Sequence, residues 1–170
     1  FKRKKFPKEV KINLIKTGLN TMTGGRLKRL KKFLKETFLM TYGDGLSNVN
    51  INKLIKFHFK KKKLITLTAV RPPARFGAIS FEKDIVRYFR EKSSLDEGWI
   101  NGGYFVMEPK FLNLIKNDKT FLEKEPFIKV TKKGQLVAYK HYGFWQCMDH
   151  KVDKENLEKL ANSNPPIWLK

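Results

Sequence analysis

The sequence predicts an α/β fold with a mixed, mostly parallel sheet flanked by helices. Apolar and β-branched runs alternate along the chain with segments that have a helical period. One of these runs, residues 37–42, stops abruptly at Gly43-Asp44-Gly45. A strand that ends in this way would lie at the carboxyl edge of the sheet, where open α/β folds bind ligands. Asp44 could hold a hard cation there, and its glycine neighbours would admit a ligand, although a plain tight turn explains the same residues.

The predicted elements follow one another with short turns between them. We predict strands at residues 10–15, 37–42, 64–70, 84–92 and 99–109, with a further strand after Gly77 and a strand-and-turn segment at residues 136–150. We predict helices after Gly24-Gly25 and at residues 51–63, 110–117, 127–133 and 151–164. Asn50 is the expected N-cap of the second helix. Antiparallel pairing is expected around residues 78–107.

The turn before the first predicted helix is rich in threonine and glycine. Thr21 and the pair Gly24-Gly25 precede the helix, and Arg26 stands on its first turn. Free backbone N–H groups at a helix start, together with the helix dipole, favour a bound anion. An ordinary capped surface helix accounts for these residues equally well.

The composition is that of a globular chain long enough for one domain. Of the 170 residues, 41% are hydrophobic and 13% are aromatic, which excludes a disordered chain. The apolar runs are short and are interrupted by Lys or Asn, so we expect no transmembrane span, signal peptide or membrane partner. The single cysteine excludes an internal disulfide and is typical of a reducing compartment, which favours a cytoplasmic protein.

The formal net charge of +21 favours a polyanion such as a nucleic acid as partner. Two features argue against that interpretation. The basic residues are mostly lysines spread over nearly every segment, and the aromatic residues fall in apolar strand patterns, with Tyr42 and Trp145 assigned to packing. We therefore interpret most of the charge as solvated surface. A polyanion-binding module without catalysis is kept as the alternative, and its binding would weaken steeply with salt.

Five segments resemble, in chain order, the sugar-nucleotide pyrophosphorylases and, among these, the glucose-1-phosphate cytidylyltransferases. They are TMTGGRLKRL, FLMTYGDG, RPPARFGA, EK followed by GWINGGYFV, and GFWQCMD. The resemblance implies a Rossmann-like nucleotidyltransferase fold with a small β-rich sugar-binding region. It also implies nucleotidyl transfer from CTP to α-D-glucose 1-phosphate, which yields pyrophosphate and CDP-glucose, a precursor of deoxysugars in bacterial surface polysaccharides. The same chemistry with UTP or dTTP is the alternative.

The resemblance implies a catalytic role for three residues. Asp44 and Asp149 would be the two protein ligands of a Mg²⁺ ion that bridges phosphates of both substrates. Arg26, the third, and Thr21 would contact the nucleotide. Gly43 would lie against the nucleotide through its backbone.

The sugar side of the site is implied by a second set of residues. Glu91 would accept hydrogen bonds from sugar hydroxyls, and Lys92 would meet the phosphate. Asn101 and the backbone of Gly102 would position the ring, with Gly77 beside them.

The sequence departs from the resembling family at its start and at three positions. It lacks the Gly-rich opening motif, so we expect residues 1–170 to be the carboxyl two-thirds of a single nucleotidyltransferase domain, inactive by itself. Ser93, Cys147 and His150 stand where Pro, Pro and Thr are usual, which changes local backbone stiffness and leaves the acidic residues in place. The resemblance also implies a homo-oligomer, a trimer or a hexamer.

Overall fold

The computed structural model describes residues 10–72, 78–90 and 98–169, and within these ranges it contains four α-helices and eight strands. The helices are α1 Thr23–Arg29, α2 Ile51–Lys61, α3 Glu125–Lys132 and α4 Lys151–Ala161, with 3₁₀ helices at Pro109–Leu114 and Ile167–Leu169. The strands are β1 Phe38–Thr41, β2 Gly45–Ser47, β3 Ile65–Val70, β4 Ala78–Glu82, β5 Ile85–Arg90, β6 Ile100–Met107, β7 Leu136–Lys140 and β8 Trp145–Cys147.

The central sheet has the strand order β1-β6-β3-β7. Strand β6 is antiparallel to both β1 and β3, whereas β3 and β7 are parallel. The predicted α/β class with a mixed sheet is therefore confirmed. Two of the three pairings in this four-stranded sheet are antiparallel, so the sheet is not mostly parallel.

Helices pack on both faces of this sheet, as two successive residues of β3, which point to opposite sides, show. Ile65 lies in the main hydrophobic cluster, whereas the hydroxyl of Thr66 lies 2.8 Å from Nδ1 of His58 in α2. Burial on both faces explains why β3 is a nearly continuous apolar and β-branched run. The buried members of the cluster are Leu27, Ile65, Phe105, Met107, Phe111, Leu112, Ile115, Leu122, Phe127 and Val130.

Two antiparallel ribbons complete the described fold. One is the β4–β5 hairpin, which confirms the antiparallel pairing expected in this part of the chain. The other pairs β2 with β8, and the paired residues are about one hundred positions apart in the sequence. This second ribbon lies next to the carboxyl end of β1.

Several local predictions are confirmed. Asn50 caps α2, since its side chain accepts a hydrogen bond of 2.9 Å from the backbone N–H of Lys53. Strands β1, β3, β5 and β6 lie where the sequence predicts strands, and α2, α3 and α4 where it predicts helices. Of the helix predicted at residues 110–117, the first five residues lie in the 3₁₀ helix Pro109–Leu114, and residues 115–117 are not helical.

Three predictions are wrong in detail. Residues 10–15 do not form a strand, and Ile12 and Leu14 are exposed, since alternation alone supplies no partner strand. Helix α1 begins at Thr23 and therefore includes both glycines, and it ends at Arg29. The sequence predicted no strand directly after Asp44, but strand β2 lies there, and three residues are too few for a recognisable period.

Candidate active site

The β2–β8 ribbon brings the two candidate metal ligands to one end of the sheet. Gly45 pairs with Cys147, and directly beyond this pair the backbone N–H of Met148 donates a 2.9 Å hydrogen bond to the carbonyl of Asp44. Asp149 is the next residue. Both carboxylates consequently line one cavity of about 270 Å³.

The opposite wall of the cavity comes from the first residues of β6. Because β1 and β6 are antiparallel, the carboxyl end of β1 lies beside the start of β6, and Thr41 pairs with Tyr104. Asn101 and Gly102 line the cavity here. The Asn101 side chain is held by its own strand, since its Oδ1 accepts a 3.0 Å hydrogen bond from the N–H of Gly103. The cavity thus lies at the carboxyl edge of the sheet, as predicted.

Trp145 joins the ribbon to this wall. Its indole N–H donates a 2.8 Å hydrogen bond to the carbonyl of Gly102, and its side chain lines the cavity. Gly102 has a structural reason to be glycine, because a Cβ there would lie 2.8 Å from Val70 Cγ1 and 3.0 Å from the Thr68 carbonyl oxygen. Close approach of β3 therefore requires the glycine before any ligand is considered.

Cys147 and Tyr42 contribute neutral polar groups to the cavity. Burial, together with a hydrogen bond to the Asp149 carboxylate, raises the pKa of the Cys147 thiol to about 11. The thiol therefore stays protonated at neutral pH and donates to Asp149 Oδ2 at 3.2 Å. Burial and the neighbouring Glu123 carboxylate raise the pKa of Tyr42 well above its usual value, so this phenol also stays protonated.

The threonine- and glycine-rich turn makes different contacts from those expected of an anion site. The N–H of Met22 donates to the carbonyl of Asp118 at 2.8 Å, and the N–H groups of Gly24 and Gly25 donate to the carbonyl of Thr120 at 3.0 and 3.3 Å. The expectation of free N–H groups at this turn is therefore wrong for these three residues. The reason is tertiary, because residues 118–120 pack against the start of α1.

Thr21 and Arg26 lie outside the residues that line the cavity. Thr21 is buried, and the Arg26 guanidinium donates to the hydroxyl of Thr17 at 2.8 Å and to the carbonyl of Leu19 at 3.1 Å. Gly43 is exposed beside Asp44, with open space where a Cβ would stand. The roles assigned to these three residues stay predictions.

Of the predicted site residues, the structure brings together Asp44, Asp149, Asn101 and Gly102. The other sugar-side residues, Gly77, Glu91 and Lys92, lie outside the described residues. Sequence reasoning missed the position of Tyr42 and Trp145 on the cavity wall, since it assigned both to packing. Both stand next to the acidic motifs: Tyr42 directly precedes Gly43, and Trp145 lies four residues before Asp149. This proximity is the sequence signal that could have indicated their position.

The donor set at this cavity fits a hard cation only if a ligand completes it. Among the described residues, no cluster of three or more His, Cys, Asp or Glu side chains is arranged to hold a metal ion. The cavity offers two carboxylates, Asp44 and Asp149. Carboxylates with phosphate oxygens are the set by which Mg²⁺ is usually held in nucleotide sites, so the residues present fit Mg²⁺ bound together with phosphates.

The fold agrees with sequence comparison. The chain belongs to the nucleotidyl transferase family, whose model matches residues 3–147. It is 45% identical over 159 residues to the glucose-1-phosphate cytidylyltransferase of Salmonella typhi, which is 92% of this chain and 62% of that protein. It is 28% identical over 152 residues to the mannose-1-phosphate guanylyltransferase catalytic subunit beta of Danio rerio, covering 85% of this chain and 42% of that protein.

Solved structures share the fold. HddC from Yersinia pseudotuberculosis superimposes with a TM-score of 0.60 at 20% identity, over 80% of this chain and 60% of that chain. The chain thus spans less than two thirds of the length of the Salmonella typhi relative.

None of the helices in the described ranges combines the length and apolar character that crossing a membrane would require.

Proposed function

We propose that the full-length protein transfers a cytidylyl group from CTP to α-D-glucose 1-phosphate, giving CDP-glucose and pyrophosphate. One observation of the structure carries the proposal: Asp44 and Asp149, far apart in the sequence, line one cavity with Asn101. The 45% identity to a glucose-1-phosphate cytidylyltransferase supports the choice of base and sugar.

In the proposed reaction a phosphate oxygen of the sugar phosphate forms the new bond to the α-phosphorus of CTP, and pyrophosphate leaves. Asp44 and Asp149 would hold Mg²⁺, which when bound offsets the negative charge gathered by the phosphates. Their neighbours keep both carboxylates in place. The Met148–Asp44 backbone hydrogen bond fixes the ribbon end, and the protonated thiol of Cys147 orients Asp149.

The remaining roles follow the sequence assignment. Asn101 and Gly102 would orient the hexose, a role supported by their place on the cavity wall. Gly77, Glu91 and Lys92 would complete the sugar and phosphate contacts. Thr21, Arg26 and Gly43 would bind the nucleotide, which requires that Arg26 keep or exchange its present hydrogen bonds with Thr17 and Leu19.

Replacing either acidic residue tests the proposal. In the full-length protein, Asp44→Asn and Asp149→Asn preserve side-chain size and remove the negative charge. We expect each to lower kcat by about 10²-fold or more, because each removes charge stabilisation at the phosphates. Release of pyrophosphate from CTP and glucose 1-phosphate is measured over a range of Mg²⁺ concentrations.

Asp84→Asn is the matched control, since Asp84 is exposed in the turn between β4 and β5. Its turnover should equal that of the parent. Near-parental turnover in either cavity variant would remove the metal-ligand assignment. Parallel assays with UTP, dTTP and ATP test the base, and a product formed faster from one of these than from CTP would replace cytidylyl transfer by another nucleotidyl transfer.

Two further assignments belong to this proposal. We assign the protein to the cytoplasm, since one cysteine suits a reducing compartment. We also expect a homo-oligomer, a trimer or a hexamer, which light scattering of the purified full-length protein would detect. A monomeric mass at assay concentration would remove that expectation.

A further inference from the structure

Helix α1 is held along its length by the segment of residues 113–123. The ammonium group of Lys28 donates to the carbonyls of Ile115 and Lys116 at 2.8 and 2.7 Å. Arg29 donates two hydrogen bonds to the Asp118 carboxylate at 3.0 and 2.6 Å. Helix α1 and this segment are therefore joined by several hydrogen bonds.

Glu123 is the last residue of that segment and bonds in two directions. Its Oε2 accepts a 3.0 Å hydrogen bond from the hydroxyl of Thr23, the first residue of α1. Its Oε1 accepts the hydroxyl of Tyr42. The Thr23 hydroxyl also accepts a 2.9 Å hydrogen bond from the N–H of Leu122, which orients it toward the carboxylate. A single carboxylate thus connects α1 to the end of β1.

Tyr42 carries this connection to the cavity wall. Its ring lies 3.1 Å from the position of a Cβ on Gly103 and packs edge-on against Phe105, with ring centroids 5.6 Å apart. Its hydroxyl also interacts with the side chain of Asn101, and both residues line the cavity. Asp44 follows two residues later. The position of the phenol consequently affects the wall that would face the hexose.

We propose that Glu123 is a positioning residue for the acceptor side of the cavity, holding the Tyr42 hydroxyl so that Tyr42 and Asn101 present one preorganised wall to the sugar phosphate. The inference rests on the proposed function and adds a residue that the sequence motifs do not include. Glu123 is exposed, so its contribution to folding is small compared with that of a core residue. Its two hydrogen bonds matter for where Tyr42 stands.

Steady-state kinetics of the full-length protein test this inference. We expect Glu123→Ala and Tyr42→Phe each to raise the KM for glucose 1-phosphate about fivefold, the effect of one lost hydrogen bond. We expect kcat and the thermal midpoint to stay near parental values, because the ring of Tyr42 keeps its contacts. Glu123→Gln retains an oxygen that can accept a hydrogen bond from the Tyr42 hydroxyl. Its KM should therefore lie close to the parental value.

The double variant Glu123→Ala/Tyr42→Phe shows whether the two residues act together. Its KM should equal that of the single variants, because both changes remove the same hydrogen bond. Glu125→Ala is the matched control: Glu125 pairs with Lys116 and Lys129 at 2.8 and 2.9 Å, outside the cavity-lining residues, and its KM should be parental.

The outcomes separate the inference from the proposed function. A parent that forms CDP-glucose while Glu123→Ala keeps a parental KM overturns the positioning role alone. A parallel loss of kcat and thermal midpoint in Glu123→Ala without a change in KM also overturns it, since that is the result of a structural role. A parent that forms no sugar nucleotide overturns the proposed function and this inference with it.

Discussion

Gly25 shows how one residue joins two segments of this protein. A Cβ at this position would lie 2.5 Å from both the Cα and the carbonyl oxygen of Asp118. Gly24 is similarly placed, with a Cβ position 2.7 Å from the Thr120 carbonyl oxygen. Both glycines lie inside α1, where glycine ordinarily costs helix stability, so the close approach of the neighbouring backbone explains their presence.

Gly25→Ala should destabilise the protein although alanine is the better helix former. We expect the free energy of unfolding to fall by about 1–3 kcal/mol, because the added methyl group forces α1 away from the backbone at Asp118. Urea denaturation measures this change in the free energy of unfolding. Gly43→Ala is the control, since nothing lies within 4 Å of its Cβ position and stability should be unchanged. A Gly25→Ala variant as stable as the parent would contradict the packing role.

Helix α2, of eleven residues, is stabilised both by a local cap and by tertiary packing. Leu54 and His58, one turn apart, are buried against the sheet. Asn50 satisfies the N–H of Lys53 at the start of the helix, and Lys62 ends the helix in the left-handed conformation, with φ at 51°. The sequence predicts the cap and the helix, whereas the sheet decides which face is buried.

Asn50→Ala should weaken this helix start by about 1 kcal/mol of unfolding free energy, because an N–H in the first turn loses its partner. Chemical denaturation measures the unfolding free energy of Asn50→Ala and of the matched control Asn52→Ala. Asn52 is exposed within the helix, and its replacement should change stability by a few tenths of a kcal/mol at most. Equal losses in the two variants would argue against the cap.

At the scale of the whole molecule, one polar network ties α2 to two strands and to the residue before β1. His58 is buried between the hydroxyl of Thr66 in β3 and the carboxylate of Glu108 after β6, at 2.8 and 3.0 Å. The hydroxyl of Thr37 donates to the same carboxylate at 2.7 Å. Burial raises the pKa of Glu108, but the hydrogen bonds from His58 and Thr37 outweigh it and leave this pKa below its usual value.

This network predicts sensitivity to acid. Because the pKa of Glu108 is lower in the folded than in the unfolded chain, its stabilisation is present above the ordinary glutamate pKa of about 4.3 and is lost as the pH falls through the folded value. We expect Glu108→Gln to be less stable than the parent at pH 7 and to lose less stability on acidification. Urea denaturation between pH 7 and pH 3 measures this, with exposed Glu36→Gln as control. Parallel curves for parent and Glu108→Gln would contradict the prediction.

Much of the site could be found from the sequence because its acidic residues stand at strand ends with recognisable motifs. Asp44 follows an apolar run and Asp149 ends an aromatic one, and both line the cavity. The contacts of Tyr42 could not be found in this way, since a tyrosine after a strand is compatible with packing or with a site. Its hydroxyl donates to Glu123, which no local pattern in the sequence connects to it.

The sequence by itself determined the helices α2, α3 and α4, most strands and the α/β class, because periodicity and caps depend on backbone geometry within a few residues. Tertiary structure alone decided that the turn at Gly24-Gly25 is packed against residues 118–120 and that β2 exists. These features arise from pairing between segments that are distant in the sequence. Such pairing produces no local periodic pattern from which it could be predicted.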